Sequence, residues 1–77
     1  MPCIKTIDSI KIYIHYREHN PPHFHAHYNE YVEVLEIKTL KKIVGYLPKN
    51  QRRKVLNWAR SSKDFLMRKW NEFRPDS

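Results

Sequence analysis

At Pro48 the hydrophobic pattern of the chain changes period, and that change limits what the chain can fold into. Before it, apolar and polar residues alternate in short runs, as in half-buried strands. Ile10-Lys11-Ile12-Tyr13-Ile14-His15-Tyr16 is the clearest of these, with Ile10, Ile12, Ile14 and Tyr16 on one face. After Pro48, Val55, Leu56, Trp58, Ala59, Phe65, Leu66, Met67, Trp70 and Phe73 form one broad stripe when wound as a helix. Arg53, Asn57, Arg60, Asp64, Arg68 and Asn71 fall opposite. Two periods in succession specify an α+β fold. We expect an antiparallel sheet of four to five strands, with a C-terminal helical segment packed on one face. The whole of 1–77 reads as a single domain, with the sheet in 1–47 and a basic amphipathic helical portion in 48–74.

Within the sheet half, a short strand at Ile4–Ile7 precedes turn chemistry at Asp8-Ser9. Arg17 to Pro22 reads as a loop, because Pro21 and Pro22 cannot donate to a ladder. His23–Tyr28 and Tyr31–Ile37 read as strands joined by Asn29-Glu30. A two-residue turn there pairs Tyr28 with Tyr31, His27 with Val32, His25 with Val34 and His23 with Glu36. A carboxylate opposite an imidazole would orient it and raise its pKa. Lys38–Lys42 reads as a turn and Ile43–Leu47 as the last strand, where Gly45 marks a bulge or a close backbone approach. Asn50 is the candidate N-cap of the helical segment, which is one long helix or two shorter ones. An unbroken helix would be roughly 36 Å long. The strands reach only roughly 23 Å. That overhang favours a break or kink at Ser61-Ser62, where Ser61-Ser62-Lys63-Asp64 resembles a capping signature.

Four of the five histidines lie in Glu18-His19-Asn20-Pro21-Pro22-His23-Phe24-His25-Ala26-His27. In an extended chain His23, His25 and His27 share one face, and Phe24, Ala26 and Tyr28 take the other. Such a row can move protons, ligate a metal or bind an anion. It can equally be a polar strand face without chemistry. His15, on another strand, reads as a surface residue.

The net charge of +7 is unevenly placed: residues 1–48 hold six Lys/Arg against five Asp/Glu, and residues 49–77 hold nine against three. A basic segment of this kind suits RNA or another anionic partner, although a solvated helix face gives the same pattern. The 77 residues support only a shallow core, so a partner or a homodimer is a fair expectation. The lone Cys3 rules out an internal disulfide. No apolar run approaches the ~20 residues that span a bilayer. Met1-Pro2-Cys3-Ile4-Lys5 lacks a signal peptide's apolar segment, so the expected location is the cytoplasm, away from membranes. With Gly45 as its one glycine the chain cannot build a nucleotide-cradling loop.

Several of these residues resemble a known family. Met1-Pro2 before a short strand, Glu18-His19-x-Pro21-Pro22-His23-x-His25, Leu47-Pro48 opening a basic helix, and Trp70 near the end are together similar to the bacterial family catalogued as domain of unknown function 4160. The resemblance covers almost the whole chain. It implies the product of a short two-gene unit, the toxin of a toxin–antitoxin pair, with a small cognate antitoxin-type protein as partner. It singles out Glu18, His19, His23 and His25, whereas His27 lies outside the motif.

Three functions follow as expectations. The first is a toxin-like ribonuclease without a cofactor. In it, His23 and His25 exchange protons with the RNA, and Glu18 or His19 orients them or handles protons. Arg17 serves the phosphate, while Lys41, Lys42, Arg52, Arg53, Arg60 and Lys63 track the backbone and Tyr13, Tyr28 and Tyr31 are available for base stacking. The second is a non-enzymatic module that binds nucleic acid or a partner protein. The third is a metal-dependent hydrolase holding zinc or another divalent transition metal on His19, His23 and His25, or with Glu18 in place of His19. The Trp58, Phe65, Trp70 and Phe73 stripe reads as core.

Overall fold

The computed structural model describes residues 3–15 and 19–73. Its elements are β1 (Cys3–Ile7), β2 (Ile10–Tyr13), β3 (His23–Tyr28), β4 (Tyr31–Glu36), β5 (Lys42–Gly45), α1 (Lys49–Arg60) and α2 (Lys63–Glu72). The five strands form one antiparallel sheet in chain order, so each is joined to its neighbour by a local connection.

The alternation seen in the sequence decides the two faces. Ile10, Ile12 and Ile14, then Phe24 and Ala26, then Leu35 and Ile37 are all buried, and they meet Val55, Ala59, Leu66 and Trp70 of the helices. Each large side chain so buried contributes about 1.5–3 kcal/mol. β2 is shorter than the alternation suggests and stops at Tyr13, although Ile14 keeps the burial pattern; Tyr16 lies outside the described residues. The β3–β4 register is the expected one, Tyr28 to Tyr31 through His23 to Glu36. Asn29 takes a left-handed φ of 52°, which asparagine tolerates better than most residues.

β5 begins and ends earlier than Ile43–Leu47 because a bulge shifts its register against Val34 and Leu35. Gly45 sits at a φ of 92°, and a Cβ there would collide with the backbone carbonyl of Val32. That carbonyl accepts the Tyr46 N–H at 2.9 Å.

The helical segment is two helices, parted at Ser61-Ser62 as the overhang suggests. Ser61 N–H returns to the Trp58 carbonyl and Ser62 N–H to the Ala59 carbonyl, closing α1 before α2 starts. Neither serine forms a side-chain cap to α2. Asn50 is not the cap of α1. Pro48 holds that position, its carbonyl accepting Arg52 N–H, and Asn50 is already inside the first turn, where its Oδ1 accepts from Arg53 Nη2. Among the described residues no helix is long and apolar enough to cross a membrane.

The one buried charged side chain among the described residues is Glu33, on the helix-facing side of β4. Its Oε1 accepts the Leu47 N–H at 3.1 Å and its Oε2 accepts Arg52 Nε at 2.8 Å. One carboxylate thereby ties the sheet, the segment after β5 and the first turns of α1 together.

Candidate functional site

Because the helices cover the Phe24 and Ala26 side, His23, His25 and His27 stand on the open face of the sheet. All three are half-buried, since neighbouring strands supply side chains to the same face. From β2 and the residues that follow it come Tyr13 and His15. The His15 ring stacks on His25 with centroids 3.8 Å apart, and Tyr13 meets His27 edge-on at 4.6 Å. His15 is thus part of the histidine row and not an isolated surface residue. Its alternation with Ile14 already puts it on the histidine side, given that β2 pairs with β3.

His23 lies at the start of β3, 5.3 Å from the His25 ring and 5.0 Å from Trp70 of α2. Its Nδ1 is 2.7 Å from the carbonyl oxygen of Pro21. A carbonyl only accepts, so Nδ1 carries the hydrogen and Nε2 is the basic nitrogen of the neutral ring. The Pro21-Pro22 turn supplies that acceptor because Pro22 is itself anchored, its carbonyl taking Ile37 N–H from the end of β4. The Asn20–Pro21 peptide is cis. Glu36 is opposite His23 in register, but its Oε1 accepts the Thr39 hydroxyl at 2.9 Å, while His23 Nδ1 goes to Pro21.

His19, Asn20, Pro21, His23 and His25 form one side of a cleft of about 340 Å³, and Val34, Ile43 and Val44 form the other. The loop and strand positions His19, His23 and His25 are therefore brought together. Glu18 and Arg17 lie outside the described residues. Among the described residues no three His, Cys, Asp or Glu side chains are grouped to hold a metal ion. His27, further along the row, is not in the cleft; burial first, and the nearby His15 second, hold its pKa below the ordinary histidine value. Its Nε2 is buried with no hydrogen-bond partner among the described residues.

The cationic residues divide between places. Lys41 and Lys42 are exposed at the start of β5. Lys63 donates to the Lys38 carbonyl at 2.6 Å. Arg53 and Arg60 are exposed on α1, on a groove of about 340 Å³ that also includes Lys49, Arg52, Leu56 and Asn57. Arg52 contributes to that groove while its Nε is held by Glu33. Sequence reasoning missed this dual position because a lone glutamate in a β-branched run reads as solvent-facing. The groove belongs to the helix layer and the cleft to the opposite face of the sheet. Among the described residues the large apolar side chains left exposed are Val32, Ile43, Val44 and Tyr46, on or beside β4 and β5 rather than on the helices.

No curated protein and no solved structure matches the chain. A family model described as Domain of unknown function (DUF4160) matches residues 9–71, which take in α1, α2 up to its last residue, the histidine row and all of the sheet but β1. The chain belongs to the DUF4160 family.

Proposed function

We propose that the chain is a toxin-like ribonuclease of the cytoplasm that cleaves RNA by proton transfer through His23 and His25. The observation that carries this reading is the cleft itself: three histidines line one wall, and Pro21 sets the tautomer of one of them. His23 Nε2 takes the proton from a ribose 2′-hydroxyl as its oxygen attacks the adjacent phosphorus. The bond from phosphorus to the 5′-oxygen breaks, and protonated His25 gives that oxygen its proton, leaving a cyclic phosphate. Arg17 serves the phosphate, and Glu18 or His19 orients a histidine or handles a proton. The restraint of a small cognate protein fits a toxin of this kind.

The test is cleavage of RNA by the wild type and by a His23→Ala/His25→Ala double variant, with and without EDTA. Cleavage that survives EDTA and disappears in the folded double variant is the expected result. Loss to EDTA and recovery with zinc or manganese would instead make His19, His23 and His25 metal ligands. A second reading, a binding module without catalysis, is favoured by one observation: the α1 groove lies across the sheet from the cleft, so it can hold an anionic partner without the histidines.

A further inference from the structure

Three tyrosines stand together on the helix side of the sheet, at the end where β3 turns into β4. Tyr28 and Tyr31 are paired across the strands, with ring planes 10° from parallel and centroids 6.5 Å apart. Tyr46 meets Tyr31 at 5.7 Å and is 57 % exposed. Glu33 is the next residue along β4 on the face of Tyr31, and it holds Arg52. The tyrosines therefore border the first turns of α1, where Lys49 and Arg53 line the cationic groove, and Arg60 at the far end of the helix completes it. An exposed ring beside a track of cations is what an unpaired base and its phosphates need.

β5 connects this surface to the histidine cleft. Ile43 and Val44 line the cleft on the open face, and Tyr46, beyond Gly45, turns to Tyr31 on the helix side. β5 is also the edge of the sheet, so no further strand stands between the two.

We propose that the chain binds single-stranded RNA along the α1 groove, stacks a base on Tyr46, and leads the strand over the β5 edge into the histidine cleft. This rests on the reading of the chain as acting on RNA, but not on the histidines being catalytic. The stacked base must be unpaired, and a duplex is too stiff to turn round the edge of a sheet. Cations alone would serve an acidic polypeptide equally well; the exposed tyrosine is what favours RNA.

The experiment is fluorescence anisotropy with a short unstructured RNA, 2′-O-methylated throughout so that it cannot be cleaved through its 2′-hydroxyls. Tyr46→Ala should weaken binding by about tenfold, and Tyr46→Phe should restore it. Arg53→Gln/Arg60→Gln should weaken binding and reduce the slope of log affinity against log salt by about 1.4. The same sequence as a duplex should bind more weakly and be indifferent to Tyr46. Equal binding by Tyr46→Ala, equal binding of the duplex, or displacement by polyglutamate at matched charge would overturn the proposal. If Tyr46→Ala does not fold, the arginine variant and the duplex comparison decide. Tight, Tyr46-dependent binding with no cleavage of ordinary RNA would remove the histidine mechanism and leave this site standing.

Discussion

His15 lies flat against His25, with ring planes 5° apart, although one follows β2 and the other lies within β3. His25 is also flanked by His23 of its own strand at 5.3 Å, so its ring has one neighbour from across the sheet and one from along β3. A side chain held in this way is positioned, which is what the proposed role of His25 as proton donor requires. His15→Ala should therefore lower kcat for RNA cleavage by about tenfold with little change in KM, and His15→Phe should recover most of the loss by restoring a flat surface. Steady-state kinetics on the three proteins would decide, and an unchanged kcat for His15→Ala would mean that the stack has no part in the chemistry.

Acid should destabilise the fold through His27. Its pKa in the folded chain is lowered from about 6.5 by burial and, secondarily, by His15. The unfolded chain then takes up the proton first as pH falls, so stability is full above about 6.5 and declines below it until the folded ring also protonates. Melting temperatures followed from about pH 8 to pH 5 should fall less steeply in His27→Gln than in the wild type. Equal slopes would exclude His27 as a source of the acid sensitivity.

Glu33→Ala should cost about 3 kcal/mol, because it leaves the Leu47 N–H without its acceptor and Arg52 without its counter-charge. Arg52→Ala should be destabilising for the complementary reason, since it strands a buried carboxylate. Arg53→Ala, fully on the surface, should change stability by no more than about 0.5 kcal/mol. Urea unfolding of the three variants makes the comparison, and Arg52 is for this reason a poor probe of RNA binding alone.

Gly45→Ala should destabilise the chain by about 1–3 kcal/mol, because the left-handed φ and the approach of the Val32 carbonyl both exclude a side chain. The variant should also disturb the cleft, because Val44 and Ile43 precede the strained position. A denaturation midpoint equal to that of the wild type would show that β5 can rearrange without loss.

The periodicities carried most of the fold. Alternation over Ile10–Ile14 and His23–Tyr28 was enough to sort those residues between two faces, though not to say which face the helices cover, and the two-residue turn at Asn29-Glu30 was enough to set the β3–β4 register. The break at Ser61-Ser62 followed from a length argument, even though the serines make no capping side-chain bond to α2. What escaped depended on contacts between distant residues. His15 read as a surface residue because its neighbour is ten residues further along the chain, across the loop that carries Pro21 and Pro22. The burial of Glu33 left no mark in the local pattern, because it depends on partners 14 and 19 residues away. The start of α1 was misplaced by two residues, since Pro48 competes with the stronger-looking Asn50 for the cap.

The Glu33 carboxylate also bears on how the domain can be divided. The change of pattern at Pro48 invites a cut there, separating a sheet from a pair of helices. In the folded chain one oxygen of Glu33 is satisfied just before that point and the other just after it. A fragment ending at Pro48 would carry a charged group on its naked inner face, along with the unclothed Phe24, Leu35 and Ile37. The boundary so clear in the sequence separates two periods, and a single buried carboxylate is bonded on both sides of it.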